Sequence, residues 1–261
     1  MGRLWWLLLL AVCAAVAAGC ADDDNGGGGS DSESPTRLVV SAAASMTEAL
    51  EQCGPEFGTA ETADVKMSFA GSDELAAQIR QGAKVDVYAA ANTRLPDDLH
   101  ADGLLGTPVE FATNEFVLAV TKDSEIDSVE DLTMEGTTMV IGSESVPIGS
   151  YTRETLAKLP PDQEKAILAN VRSNEPDVKG IVGKLTQGAA DAGFVYVTDV
   201  KATNGELRAI KLPAELGPQV TYGAGVVGKS EQQALGQRFV NGLTDGACAD
   251  ALEEAGFGPA P

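Results

Sequence analysis

Three times between residues 38 and 101 a short apolar run ends in small residues and gives way to a helical pattern. Leu38, Val39 and Val40 read as a buried strand, apolar and rich in β-branched side chains. Four small residues follow, Ser41 to Ala44, and then Ser45. Met46, Ala49 and Leu50 come next at the i, i+3, i+4 spacing of a core-facing helix stripe. Residues 64–69 alternate as a half-buried strand does and end at Ala70, Gly71 and Ser72. They lead into a helix whose apolar face holds Leu75, Ala76, Ala77 and Ile79. Residues 85–92 read as a third strand running into Ala89, Ala90 and Ala91, ahead of a charged helix near residues 96–101. A βαβαβ rhythm in so short a span implies a mostly parallel sheet with helices on both faces. Ligands of such sheets sit beyond the carboxyl ends of the strands, which is where Ser45 and Ser72 fall. The free N–H groups of a helix start and a serine hydroxyl can both point at a ligand there. Taken alone, each serine is better accounted for as the cap of its own helix, the commoner job for such a residue.

Residues 110–120 offer two strand-like pieces around Thr113, Asn114 and Glu115, a candidate crossing into a second lobe. A short helix (128–132), a strand (138–141) and a loop from Gly142 to Ser150 follow, then helices over 151–159 and 161–171. Pro176, Asp177 and Val178 open a third helix, with Ile181, Val182 and Leu185 as its apolar face. Residues 189–197 read as a buried strand ending at Thr198 and Asp199, and residues 220–227 as a strand returning to the first lobe. Two helices, 231–242 and 245–255, close the chain. The expected fold class is α/β, in two lobes. Lobe I takes residues 37–117 and 224–261, and lobe II takes 118–223.

The first 20 residues read as an address. Arg3 precedes an apolar run, and Val16, Ala17, Ala18 and Gly19 lead to Cys20, the pattern of a secretory signal. It resembles the lipobox of bacterial lipoproteins, with Ala17 where Leu is usual, which makes Cys20 the expected lipidated residue and the anchor to the membrane. Residues 21–36 are mostly Gly, Ser, Asp and Glu up to Pro35 and read as a flexible linker. Acidic residues outnumber basic ones 39 to 18, for a net charge of −21, so nucleic acid is not an expected partner. His100 is the single histidine and sits in a polar segment, so neither a Ser-His-Asp triad nor a multi-histidine metal site can be built. No dinucleotide or phosphate-loop motif accompanies it. The expectation is a binding protein, not an enzyme, with no catalytic residue and no cofactor.

With these pieces in order, the chain resembles the periplasmic molybdate-binding proteins of ABC importers over residues 38–257. The resemblance rests on Ala43-Ala44-Ser45-Met46-Thr47-Glu48-Ala49, on Phe69-Ala70-Gly71-Ser72-Asp73-Glu74-Leu75 and on Gly82-Ala83-Lys84-Val85-Asp86-Val87-Tyr88. Ser145-Val146-Pro147-Ile148-Gly149-Ser150-Tyr151 and Gly193-Phe194-Val195-Tyr196-Val197-Thr198-Asp199 follow at matching spacing. It implies a type II periplasmic-binding-protein fold with the anion between the lobes. It implies hydroxyl donors at Ser45, Ser72 and Tyr196 and backbone N–H donors at Ile148 and Val178, Ile148 standing where the family commonly has Ala. It further implies a monomer at the extracytoplasmic face of the cell membrane that passes molybdate, and tungstate with it, to an ABC permease and its ATPase. Arg153 reads as a solvated helix position, and Asp86 and Asp199 as braces for loops.

The chemistry fits that donor set. A fully deprotonated tetrahedral dianion offers only acceptors, so hydroxyls and helix-start N–H groups suffice, even in an acidic protein. A protonated anion such as phosphate needs an acceptor beside the donors, and Asp73, Asp177 and Asp199 are near enough in sequence to offer one. The alternatives are a receptor for another oxyanion, such as sulfate or phosphate, and a sensory anion-binding domain. With Cys13 in the leader and Cys20 lipidated, Cys53 and Cys248 remain, and an even count in an exported chain favours a disulfide between them.

Overall fold

In the computed structural model residues 35–261 are described; the expected leader, Cys20 and the linker up to residue 34 lie outside them. The opening rhythm is found as expected: β1 (Thr36–Ala43), α1 (Thr47–Ala60), β2 (Ala63–Ala70), α2 (Ser72–Arg80), β3 (Val87–Ala90) and α3 (Arg94–Ala101). A single 3-10 turn, Ala44–Met46, joins β1 to α1. β1 pairs in parallel with both β2 and β3. The chain then enters β4 (Val109–Asn114) and β5 (Phe116–Thr121) and, after a 3-10 turn at Glu130–Thr133, β6 (Met139–Gly142). Next come α4 (Pro147–Leu156), α5 (Pro161–Ala169), β7 (Val171–Glu175), α6 (Val178–Thr186), β8 (Ala192–Tyr196), α7 (Val197–Ala202) and β9 (Leu207–Lys211). β10 (Val220–Val226), α8 (Gln233–Gly242), α9 (Ala247–Ala255) and the short β11 (Gly258–Pro259) finish the chain.

These strands make two sheets, ordered β11-β4-β10-β3-β1-β2 and β7-β6-β8-β5-β9. Both sheets are mixed rather than mostly parallel: β10 runs antiparallel to β3 and β4, and β5 antiparallel to β8 and β9. The antiparallel strands flank the two crossings between sheets, where no βαβ connection forces them parallel. The first crossing falls at Glu115, and β10 lies wholly in the first sheet. Residues 116 and 117 therefore belong with the second sheet and residues 220–223 with the first, a few positions from the expected boundaries.

The first sheet is buried on both faces. Along β3, Val87 and Ala89 join one hydrophobic cluster while Tyr88 and Ala90 join the other, the period-2 alternation of a strand. Leu75, Ile79, Leu95 and Leu99 from α2 and α3 cover the second face. On the first face Leu50 of α1 and Phe239 of α8 pack with Leu38 and Val40, and Phe57 meets Phe239 edge-on with ring centroids 5.0 Å apart. Cys53 and Cys248 are bonded to each other, their Cα atoms 5.0 Å apart, so α1 and α9 of one sheet's helical layer are tied together.

The differences from expectation have local causes. β7 (Val-Arg-Ser-Asn-Glu) and β9 (Leu-Arg-Ala-Ile-Lys) are the two edges of the second sheet, half-exposed and polar, so neither shows an apolar run. α4 begins at Pro147 rather than Tyr151, because proline at the first helical position costs no hydrogen bond. Gly149 makes that early start possible. A Cβ there would stand 1.9 Å from Ser143 O and 2.5 Å from Gly142 O, so only glycine allows the loop to fold onto the helix.

Candidate functional site

Beyond the carboxyl ends of the strands, the starts of α1, α2, α4 and α6 converge on one small, tightly closed cleft between the two sheets. Ser45, Ser72, Ile148, Val178 and Tyr196, the five residues expected to bind, all line it. All are buried, the most exposed at 4%. Ser45, Ser72 and Ile148 arrive by one local device, a strand that ends in small residues ahead of a helix start; Val178 opens α6 after Pro176 and Asp177, and Tyr196 is the last residue of β8.

Ser72 is the first residue of α2. The Ala91 N–H donates to its Oγ at 3.1 Å, and Tyr88 Oη donates to its carbonyl at 2.7 Å, so the side chain is held and its hydroxyl proton is left for the cleft. Ser45 Oγ lies 2.9 Å from Tyr222 Oη. In α4 the first bonded N–H is that of Ser150, to Val146 O; the N–H groups of Ile148 and Gly149 precede it, and no acceptor among the described residues takes them. The N–H of Val178 is likewise free among the described residues, at the start of a helix whose cap, Asp177, accepts from Gly180 N–H at 2.9 Å. Tyr196 Oη is buried with no hydrogen-bond partner among the described residues. A buried hydroxyl in that state carries a free-energy cost of about 1–3 kcal/mol, which a bound acceptor would remove. Burial, with Tyr222, Tyr151 and Asp199 nearby, pushes the Tyr196 phenol well above its ordinary value, so it stays a neutral donor.

Two of the acidic residues near the cleft, Asp177 and Asp199, are committed elsewhere. Asp177 lines it, but its carboxylate is the α6 cap. Asp199 Oδ2 accepts from Tyr196 N–H at 3.3 Å, and its Oδ1 lies 3.2 Å from Lys179 Nζ. Burial pushes Asp199 up to about 6, against the pull of Lys179. Lys179 also donates to both carboxylate oxygens of Glu48 at 2.8 Å, linking α6 to α1. Burial alone would lower Lys179, but Asp199 and Glu48 outweigh it and hold the ammonium above its usual value. Asp73 does not line the cleft, but its buried Oδ1 has no hydrogen-bond partner among the described residues and lies beside Gly71, which does. Among the described residues Asp177 is the one acidic side chain that lines the cleft with the donors, and helix dipoles rather than a countercharge supply the positive potential.

Other residues have clear positions too. Asp86 braces β1 and the loop before α8, accepting from Val39 N–H at 2.8 Å and from Ser230 Oγ. His100 is exposed, with Nδ1 3.0 Å from Leu105 O. Arg153 is not the solvated residue expected. Its Nη1 donates to Gly142 O and Gly149 O, both at 2.9 Å, and Nη2 to Asn174 Oδ1 at 3.1 Å. It holds the carbonyl side of the 142–149 segment so that the N–H side faces the cleft. The spacing of Arg153 four residues after Gly149 was the available signal.

Gly71 sets how closely the sheets approach. A Cβ there would lie 2.4 Å from Pro176 O, which belongs to the opposite side of the cleft, and 2.9 Å from Asp73 Oδ1. Gly71→Ala is expected to hold the two sides apart and to weaken anion binding by about 1–3 kcal/mol, the usual cost of overpacking a tight contact. Unliganded stability should change little. Calorimetric titration of the variant beside a thermal melt checks both halves.

The family described as bacterial extracellular solute-binding protein matches residues 38–258. The molybdate-binding protein ModA of Mycobacterium tuberculosis is 37% identical over 224 residues, 84% of this chain and 84% of that protein. The periplasmic molybdate-binding protein of Azotobacter vinelandii superposes with a TM-score of 0.75 at 20% identity, over 84% of this chain and 98% of that one. The sulfate-binding protein SubI of M. tuberculosis does so with a TM-score of 0.75 at 16% identity, over 86% and 87%. Two structures of equal likeness, named for different oxyanions, share the fold without choosing between those ions.

Proposed function

The chain belongs to the bacterial extracellular solute-binding proteins, and from that premise we propose that it captures molybdate in the cleft between its two sheets and hands it to an ABC importer. The observation that carries this reading is the unpartnered, fully buried Tyr196 hydroxyl among the Ser45, Ser72, Ile148 and Val178 donors. A tetrahedral dianion, with acceptors in every direction and no proton to give, is what such a set can satisfy. The 37% identity to a relative named for molybdate supports that ion over sulfate. Tungstate has the same charge and nearly the same size, and binds with it. The lobes are the two sheets with their helices, hinged at the two crossings, and closure buries the anion. The receptor acts as a monomer and passes its cargo to a membrane permease driven by an ATPase. A thermal-shift panel of molybdate, tungstate, sulfate and phosphate tests the reading. Binding to the folded state alone raises stability by about 2.7 kcal/mol at 100 times the dissociation constant. Molybdate and tungstate should produce that shift at far lower concentrations than sulfate or phosphate; sulfate acting at the lowest concentration would refute molybdate as the cargo.

The receptor is held at the outer face of the cell membrane through Cys20, with the residues between Cys20 and the start of β1 at Thr36 as its tether. This rests on the sequence before residue 35; among the described residues no helix is long and apolar enough to cross a membrane. Cys20→Ala should shift the protein from the membrane fraction to the medium. A variant that stays with the membrane would exclude the lipid anchor.

A further inference from the structure

One ammonium group touches the chain beside three of the five donors. Lys179 follows Val178 directly at the start of α6. Its Nζ donates to both carboxylate oxygens of Glu48 at 2.8 Å, and Glu48 stands three residues after Ser45, in the first turn of α1. The same Nζ lies 3.2 Å from Oδ1 of Asp199, three residues after Tyr196, in the first turn of α7. Asp199 accepts the Tyr196 N–H through its other oxygen, so it also fixes the backbone that carries the Tyr196 hydroxyl.

Glu48 and Lys179 come from different halves of the fold. α1 packs on β2, where a Cβ at Gly54 would stand 2.6 Å from the end of Met67. α6 packs on β8, where a Cβ at Gly193 would stand 2.8 Å from Ile181 Cγ2. Among the described residues, Glu48–Lys179 is the one ion pair between a helix of the first sheet and a helix of the second. Asp199 belongs to the same half as Lys179, so separation of the halves parts Lys179 from Glu48 alone. One ammonium and two carboxylates leave a net charge of −1. That field repels an anion, and neither Lys179 nor Glu48 lines the cleft. What Lys179 contributes to binding is therefore geometry and not a countercharge.

We propose that Lys179 is a positioning residue for anion binding: its ion pair with Glu48 forms as the two halves close, holds the starts of α1 and α6 together around the anion, and so sets how long the anion stays. This rests on the reading that the cleft holds an oxyanion and closes over it. Because the pair forms after the anion has entered, its contribution falls on release and not on association.

The test is release of radiolabelled molybdate into an excess of unlabelled ion, followed by rapid filtration, for the full chain as wild type, Glu48→Gln and Glu48→Lys. The Glu48 side chain is 52% exposed, so both substitutions leave the core untouched. Glu48→Gln is expected to speed release roughly 2- to 10-fold, between the scale of an exposed ion pair and that of a hydrogen bond to a charged group. Glu48→Lys sets two ammonium groups face to face and should speed it further. Field effects alone predict the reverse order, because losing a negative charge and then gaining a positive one should each hold an anion longer. Raising sodium chloride from about 0.01 M to about 1 M shortens the Debye length from about 30 Å to about 3 Å and should narrow the gap between wild type and Glu48→Gln. A merely structural role for Glu48, as a first-turn acid of α1, would lower the melting temperature of the unliganded protein and leave the release rate as it was. Release that is unchanged or slower in Glu48→Gln, or no faster in Glu48→Lys than in wild type, overturns the inference while the molybdate reading stands. Wild type that binds no molybdate overturns that reading and this inference with it.

Discussion

Replacing both Cys53 and Cys248 with alanine is expected to lower the unfolding free energy by about 2–5 kcal/mol, with a fall in Tm of roughly 5–15 °C for a domain of this size. The two cysteines stand 195 residues apart in the chain, so the bridge closes nearly the whole domain into one loop. In the chain-entropy model a closure that long restricts the unfolded state by up to about 5 kcal/mol. Both sulfurs are buried, at 1% and 2% exposure, and neither residue lines the cleft. Molybdate affinity should therefore stay the same while the melt moves. Differential scanning calorimetry with and without molybdate measures both. A variant with an unchanged Tm would mean that the packing of α1 on α9 holds the chain ends without the bond.

The second large effect belongs to the cleft. Ser45→Ala and Tyr196→Phe should each weaken molybdate binding by about 1.5–3 kcal/mol, roughly 10- to 150-fold, the range for a hydrogen bond to a charged group. The two variants should differ in the unliganded protein. Tyr196→Phe deletes a hydroxyl that has no partner, so it is expected to leave stability unchanged or raise it, by up to about 1–3 kcal/mol. Ser45→Ala strands the Tyr222 phenol, which then lacks its acceptor, and should destabilise by a similar amount. Calorimetric titrations and thermal melts on the same samples separate binding from folding. Full molybdate affinity in both variants would place the anion elsewhere.

Much of this site is written in short stretches of chain. Ser45 and Ser72 follow strands that end in small residues, and the pattern is local enough to read without a structure. Cys53 and Cys248 were legible as a pair from their number alone. What escaped was set at a distance. Tyr222 meets Ser45 across 177 residues and Asn114 across 108, and neither position carries a periodic or turn signal. β7 and β9 escaped because edge strands need only half the apolar content that identifies β5 or β8. The early start of α4 escaped because it depends on Gly149 fitting against Ser143 O, a contact that no propensity encodes. The mixed direction of the sheets escaped for a related reason: a βαβ rhythm fixes only the strands it connects, and β4, β5, β9 and β10 lie outside it.

The central claim, that five donors at converging helix starts hold the anion, is tested most directly by diffraction from crystals grown with molybdate, using data collected on both sides of the molybdenum absorption edge. One anomalous peak is expected between the sheets, its oxygens within about 2.5–3.2 Å of Ser45 Oγ, Ser72 Oγ, Tyr196 Oη and the N–H groups of Ile148 and Val178. A peak at any other place on the protein, or a cleft in which Tyr196 Oη stays unpartnered with molybdate bound, would contradict it.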